Sequence, residues 1–233
     1  MPAVSFILPA YKRRYLREAI DSILAQTYRD FELVIVDDAS PELLEEELNR
    51  YSWFEKASIL ADGGKLSATG GVNVRYYRNE SNIGKNDLVS SWNHAMSFGT
   101  GEWCVLASDD DKYAPDYLET MITLKDKYPS VGVFHCKIAC IDKEGTITSV
   151  GESRSEWESC WEMLYHRGIR GALQSAPEFM FSRRLFDAIG GFVNFPTAIS
   201  SDSATWYSLA REKGCVCSNK CMFYWRLSGN FKI

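Results

Sequence analysis

The sequence lacks both glycine-rich loops that commonly cradle phosphates. No G-x-G-x-x-G follows its first apolar run and no G-x-x-x-x-G-K-[ST] occurs, which argues against a dinucleotide dehydrogenase and a P-loop enzyme. It has no basic excess: 26 Lys and Arg face 31 Asp and Glu, for a net charge of -5. A general nucleic-acid binder needs a basic face for the phosphates, so no nucleic-acid partner is expected. A local basic groove for a phosphorylated small molecule stays open. No stretch approaches the roughly 18 apolar residues of a membrane span. The opening "MPAVSFILPAYKRR" has no basic n-region, so no signal peptide is read there. Histidine is scarce, and His94, His135 and His166 share no spacing that assigns them a role. Internal repeats and low-complexity segments are absent.

Cysteine is not scarce. The seven, Cys104, Cys136, Cys140, Cys160, Cys215, Cys217 and Cys221, are odd in number and sit mostly in apolar stretches. Reduced thiols in a cytoplasmic protein are expected. "CVCSNKC" at 215–221 lacks a second paired cluster at zinc-ligand spacing and is not read as a zinc site. Hydrophobic residues make up 45% and charged residues 24%, an ordinary globular balance for one domain of generous size.

Near-continuous apolar runs at 3–8, 31–36 and 102–107, with a shorter one at 74–78, read as strands buried on both faces. Between them lie helical patterns at 15–26, 40–51 and 85–99. Ser40 is the expected N-cap of the second, with Pro41 at its first position. Residues 54–73, with paired glycines, read as an inserted mobile loop or hairpin. The rhythm implies right-handed crossovers and a mainly parallel sheet covered on both faces. The second half reads as helices at 115–128, 155–168 and 201–214, the last capped by Ser201, and a hairpin over 131–150.

Ligands of such sheets bind off the carboxyl ends of the strands. The residues there are Pro9, Ala10 and Tyr11; Asp37, Asp38 and Ser40; Arg78 and Asn79; and Ser108, Asp109, Asp110 and Asp111. Three consecutive carboxylates repel one another, which is reason to expect a cation beside them. Hard cations such as Mg²⁺ and Mn²⁺ take oxygen ligands, typically one or two protein carboxylates plus substrate phosphates.

These segments resemble the family-2 glycosyltransferases with the GT-A fold. The resemblance rests on the strand into Pro9-x-Tyr11, the helix into Gln26, Thr27 and Tyr28, and the strand into Asp37, Asp38 and Ser40. It continues through Asn82-x-Gly84, Asn93, Gly101 and Glu102, the acidic motif, and Pro115 and Asp116. Gly190, Gly191, Phe192 and Asp202 extend it more sparsely. The resemblance implies a single α/β domain over 1–233, with a mainly parallel central sheet flanked by helices. Residues 1–112 would form the nucleotide-sugar half and 113–233 a smaller acceptor half. It implies inverting transfer from a nucleoside diphosphate sugar, a UDP-sugar being expected, to a glycan, lipid-linked or other hydroxyl acceptor. A divalent Mg or Mn ion would assist. The setting would be cytoplasmic, with room for peripheral association at the inner membrane face.

By the same resemblance Pro9, Ala10 and Tyr11 would line base and ribose, Asp38 would bond the base, and Lys85 would reach the diphosphate. In an extended segment Asp109 and Asp111 would share a face. Alignment on Tyr113 and Pro115 instead puts Asp109 on the ribose and Asp110 on the metal, with Asp111 beside it. Asp202 is the expected general base; Ser201 stands where the family usually has Glu, while Trp206 keeps its spacing. Arg226 falls where the family often has a basic residue near the phosphates, followed here by Leu227 and Ser228 rather than His. Trp157, Trp161 and Tyr165, at helical spacing, are read as core rather than as a sugar platform. The competing readings are a catalytically silent nucleotide- or glycan-binding relative and a nucleotidyltransferase. The latter would normally carry a glycine- and arginine-rich loop, which "PAYKRRY" is not.

Overall fold

A computed structural model describes residues 1–227, the side chains of Cys221 and Met222 aside. The Cys221 thiol of the 215–221 cluster and Ser228 therefore lie outside the described residues. The chain runs β1 (Val4–Ala10), α1 (Leu16–Leu24), β2 (Phe31–Asp37), α2 (Leu44–Leu48), α3 (Ser52–Glu55), β3 (Ser58–Ile59), β4 (Lys65–Thr69), β5 (Val72–Arg78), α4 (Leu88–Met96) and β6 (Trp103–Leu106). It continues through β7 (Lys112–Tyr113), α5 (Tyr117–Lys127), β8 (Val133–Ile141), β9 (Ile147–Val150), β10 (Trp157–Glu158), α6 (Cys160–Gly168), β11 (Met180–Ser182), α7 (Arg183–Ala188), α8 (Ser201–Ala210) and β12 (Cys215–Arg226).

One sheet carries all the described strands, in the order β10-β12-β8-β11-β6-β1-β2-β5-β4-β3, with β7 beside β12 and β9 beside β8. Its centre, β6-β1-β2-β5, is parallel throughout. β11 runs antiparallel to both β6 and β8 and marks the start of the mixed half. The continuous apolar runs are explained by burial on both faces. Phe6, Leu8, Leu33 and Ile35 pack with Leu16, Ile20 and Ile23 of α1 on one side. Ile7, Val34 and Val36 pack with Val89, Ala95 and Met96 of α4 on the other. β1 is the switch point, because β2 follows it on one side and β6 on the other. A crevice opens at such a point at the carboxyl ends of the strands.

Several expectations shift in detail. The helix expected over 40–51 starts only at Leu44, because Leu43 adopts φ +50°. Ser40 instead donates its hydroxyl to the carbonyl of Tyr11 (2.5 Å) and ties two rim segments together. The 54–73 insertion is ordered as α3 and the β3–β4 hairpin, which extends the sheet beyond β5. Ser200, not Ser201, is the N-cap of α8. The Ser201 hydroxyl accepts the Phe195 N–H (3.1 Å). The six described cysteines form no disulfide.

A polar cluster lies at the amino-terminal end of the parallel strands. Glu32, in β2, is buried and accepts from the Ser5 hydroxyl (2.6 Å), the Thr100 N–H (2.7 Å) and Arg75 Nη2 (2.6 Å). Gly101 closes the cluster, its N–H donating to Ser5 Oγ (2.7 Å). A Cβ on Gly101 would stand 2.7 Å from the Ser5 backbone nitrogen and 2.8 Å from the Val4 carbonyl carbon. Backbone cannot yield there as a side-chain tip can. Gly101→Ala is therefore expected to cost about 1–3 kcal/mol, read as a lower urea midpoint at unchanged slope.

Candidate active site

The motifs separated in sequence meet in pairs. Gln26 is buried and holds the segment after the acidic turn, donating to the Ala114 carbonyl (2.7 Å) and accepting from the Leu118 N–H (2.8 Å). Asn93 of α4 accepts the Phe192 N–H (2.9 Å). Gly191 sits at φ +99°, where a Cβ would come within 2.6 Å of Asn93 Oδ1. That close approach and positive φ are the reason for glycine there.

Asp38 meets the 82–85 loop. Beyond it the chain turns through Ala39 at φ +51°. Its Oδ1 accepts from Asn79 Nδ2 (2.7 Å) and the Ile83 N–H (2.9 Å). Its Oδ2 accepts from the Gly84 N–H (2.7 Å) and the Ser91 hydroxyl (3.0 Å). Burial works against this charge, but those donors outweigh it and hold the carboxyl below its usual range. Asp38 thus fixes the loop that carries Lys85.

The acidic turn is divided in its duties. Asp109 Oδ2 accepts the N–H groups of Tyr11 and Lys12, both at 2.7 Å, and locks the turn after β1. Asp111 Oδ1 accepts the Arg226 N–H (2.8 Å). Both side chains are buried, whereas Asp110 is partly exposed. Asp110 takes the Ser108 hydroxyl (2.6 Å) and faces Lys12 Nζ at 3.7 Å. Burial pushes the Asp109 carboxyl up to about 6 despite its two N–H donors. Burial, then the neighbouring Asp110 charge, pushes Asp111 well above the usual range.

Arg226 does not reach into the crevice. Its guanidinium is enclosed, donating to the carbonyls of Asp110 (2.8 Å) and Asp142 (3.1 Å) and to Glu18 Oε2 (2.8 Å), and lying over the Tyr15 ring at 4.1 Å. The expectation of a phosphate-facing arginine is corrected to a clamp behind the acidic turn.

Asp202 stands in the first turn of α8. Trp206, fully buried one turn on, stacks on Phe179 (4.7 Å, 17°) and packs against Phe181 and Phe192, which fixes the helix. Gln174 ties the same turn to the segment after α6 by donating to Ser203 Oγ (2.9 Å). Burial raises the Asp202 carboxyl, with the Ser203 N–H and the Arg167 charge opposing it.

One cleft of about 890 Å³ is lined by all nine residues singled out from the sequence: Pro9, Ala10, Tyr11, Asp38, Lys85, Asp109, Asp110, Asp111 and Asp202. That volume lies within the span typical of ligand pockets. Lys12, Arg167 and Gln174 line it too and were not singled out. Lys12 was legible in "PAYKRRY", whereas Arg167 and Gln174 belong to no motif. Trp157, Trp161 and Tyr165 are not core: they are 47%, 73% and 51% exposed. The helix expected over 155–168 begins only at Cys160, so Trp157 falls in β10, while short α6 buries Met163 alone and turns Trp161 and Tyr165 outward. Among the described residues no three His, Cys, Asp or Glu side chains converge to hold a metal. The donors present, Asp110 and Asp111, are hard oxygens, suited to a cation that takes its remaining ligands from phosphate and water.

A family-wide description, "Glycosyl transferase family 2", matches residues 5–190. An uncharacterized glycosyltransferase of Rickettsia typhi is 30% identical over 194 residues, covering 80% of this chain and 54% of its own. The chain thus spans about half the length of that relative. Among solved structures, Staphylococcus aureus TarS 1–349 in complex with UDP-GlcNAc superposes with a TM-score of 0.70 at 16% identity, over 96% of this chain and 58% of that one. The mannosyltransferase PcManGT of Pyrobaculum calidifontis, with GDP-Man and Mn²⁺, gives 0.64 at 19% identity, over 96% and 56%. At these identities the likeness shows a shared fold, the GT-A type.

Proposed function

The chain belongs to glycosyltransferase family 2, and from that premise we propose that it transfers a sugar, with inversion, from a nucleoside diphosphate sugar to a hydroxyl acceptor, assisted by a divalent cation. The observation that carries this reading is the convergence of the nine residues on one cleft. Two structural neighbours hold UDP-GlcNAc and GDP-Man, which supports a nucleotide-sugar donor, with UDP the first to test.

Pro9, Ala10 and Tyr11 line the base and ribose in this reading, Asp38 bonds the base, and Asp109 meets the ribose. Asp38 already receives four protein donors, so its contact with the base would add to a role in holding the 82–85 loop. Lys85 serves the diphosphate. Asp110 and Asp111 would hold Mg²⁺ or Mn²⁺, which supplies positive charge to stabilise the departing diphosphate. Asp202 takes the proton of the acceptor hydroxyl as that oxygen attacks the anomeric carbon. The proposed division near residue 112 is supported by the acidic turn on one side of the cleft and Asp202 of α8 on the other.

The acceptor is proposed to be a glycan or a lipid-linked sugar. Peripheral association with a membrane, at its cytoplasmic face, is supported by α6, whose Trp161, Leu164 and Tyr165 are exposed on the helix that carries Arg167 into the cleft. Trp and Tyr suit an apolar–aqueous boundary. Among the described residues no helix is long and apolar enough to cross a membrane.

Titration with UDP-, GDP- and dTDP-sugars in Mn²⁺ tests the reading. One nucleotide class is expected to bind and its sugar to be transferred or slowly hydrolysed. Binding without turnover across the panel would favour a silent relative, and no binding of any nucleotide would defeat the donor assignment.

A further inference from the structure

Lys12 holds a position that the nine sequence-derived residues leave unexplained. Its backbone N–H is fastened to Asp109 Oδ2 at 2.7 Å, so the residue cannot drift from the acidic turn. Its side chain lines the cleft and brings Nζ to 3.7 Å from Asp110 Oδ2. Among the described residues, Asp110 is the one aspartate of the turn without a backbone N–H partner, Asp109 and Asp111 being tied to Tyr11, Lys12 and Arg226. The carboxylate best placed for a cation therefore already has one.

We propose that Lys12 is a nucleotide-binding residue that shares Asp110 with the divalent cation: without the cation its ammonium neutralises the diphosphate, and with the cation bound it yields Asp110. The inference rests on the donor reading above. An ammonium is a compact charge with three donors on a flexible stem, able to pivot from carboxylate to phosphate. A divalent ion approaching Asp110 meets Lys12 as a like charge at short range, so the two compete for one oxygen. Nucleotide binding should then persist when metal is removed. Removing Lys12 should make binding depend on metal while strengthening the metal's hold. An ordinary surface ion pair would do neither, because such pairs couple weakly to anything else.

Calorimetry of UDP and GDP with the full chain, in EDTA and in saturating Mn²⁺, separates these outcomes. The unaltered protein is expected to bind one nucleotide in EDTA. Lys12→Met should weaken that binding about tenfold in EDTA and by less than about threefold in Mn²⁺, while Mn²⁺ affinity in the presence of nucleotide rises. Lys12→Arg should restore binding in EDTA. Lys12→Gln, read beside a thermal melt, repeats the test with a polar stem. Equal losses in both media, no loss in EDTA, or a strict Mn²⁺ requirement in the unaltered protein would each overturn the inference and leave the donor reading intact. Failure of both nucleotides to bind in either medium would overturn the donor reading itself.

Discussion

Asp110→Asn is expected to erase the effect of Mn²⁺ on nucleotide affinity and to lower sugar transfer by about 10²–10³-fold, the scale of losing one electrostatic stabiliser at a developing charge. The substitution keeps size and removes charge. Asp110 is partly exposed and spends its carboxylate on the Ser108 hydroxyl and on Lys12 rather than on the backbone. The fold should tolerate the change, so the melting temperature serves as the control. Asp111→Asn is a contrasting case. Its carboxylate anchors β12 through the Arg226 N–H in a buried setting, so loss of stability should accompany any loss of metal response. Calorimetry of UDP with and without Mn²⁺ reads the first effect directly. An unchanged Mn²⁺ response in Asp110→Asn would remove Asp110 from the metal site.

Asp202→Asn is expected to leave nucleotide affinity within about twofold and to reduce transfer by about 10²–10⁴-fold, the usual worth of a positioned general base. Asp202 belongs to α8, apart in the chain from the acidic turn, and its helix is fixed by Trp206 rather than by the carboxylate. Binding and chemistry should therefore separate in this variant. A pH profile adds a second readout. Only the ionised carboxylate can accept the proton, and burial raises its pKa. The rising limb of the rate should lie above the ordinary aspartate range and vanish in Asp202→Asn. The Arg167 charge opposes that rise. Arg167→Ala should therefore move the limb to still higher pH, because removing a nearby cation makes the carboxylate harder to ionise. A limb that stays put in Asp202→Asn would mean that another group is the base.

Much of the strand-end rim of the cleft is legible in the sequence because its signals are local. Strands buried on both faces announce themselves as apolar runs, and the residues just after them must gather on one rim. Pro9, Asp38 and Asp110 follow from that rule alone. What the sequence withheld was which partner each polar group takes. Nothing local says that Asp38 would spend both oxygens on a loop some 45 residues onward. Nor does anything local say that Arg226 would turn away from the cleft. Those outcomes depend on long-range register, which periodicity does not encode. The aromatic stripe of α6 misled for a related reason. Helical spacing tells which side chains share a face, but not whether another layer covers that face. The α2 start falls three residues later than the Ser-Pro signal because Leu43 takes φ +50°; the Ser40 hydroxyl still accepts the Glu42 N–H but donates to the Tyr11 carbonyl across the rim. Gln174 and Arg167 come from an irregular segment and a helix end whose position no pattern predicts.

The Arg226 clamp has a consequence for how the protein is made. The bond from its N–H to Asp111 spans 115 residues of chain. Its side chain also reaches Glu18 across 208 residues. Contacts so distant in sequence close late, because the entropy of the intervening loop must be overcome first. A ribosome emits the β1–β6 half well before β12 exists. During that interval the half can pair its parallel strands while the acidic turn waits unclamped, its carboxylates crowded and without their arginine. The candidate site is then among the last features to mature, finished by a strand that contributes little to the part of the sheet first synthesised.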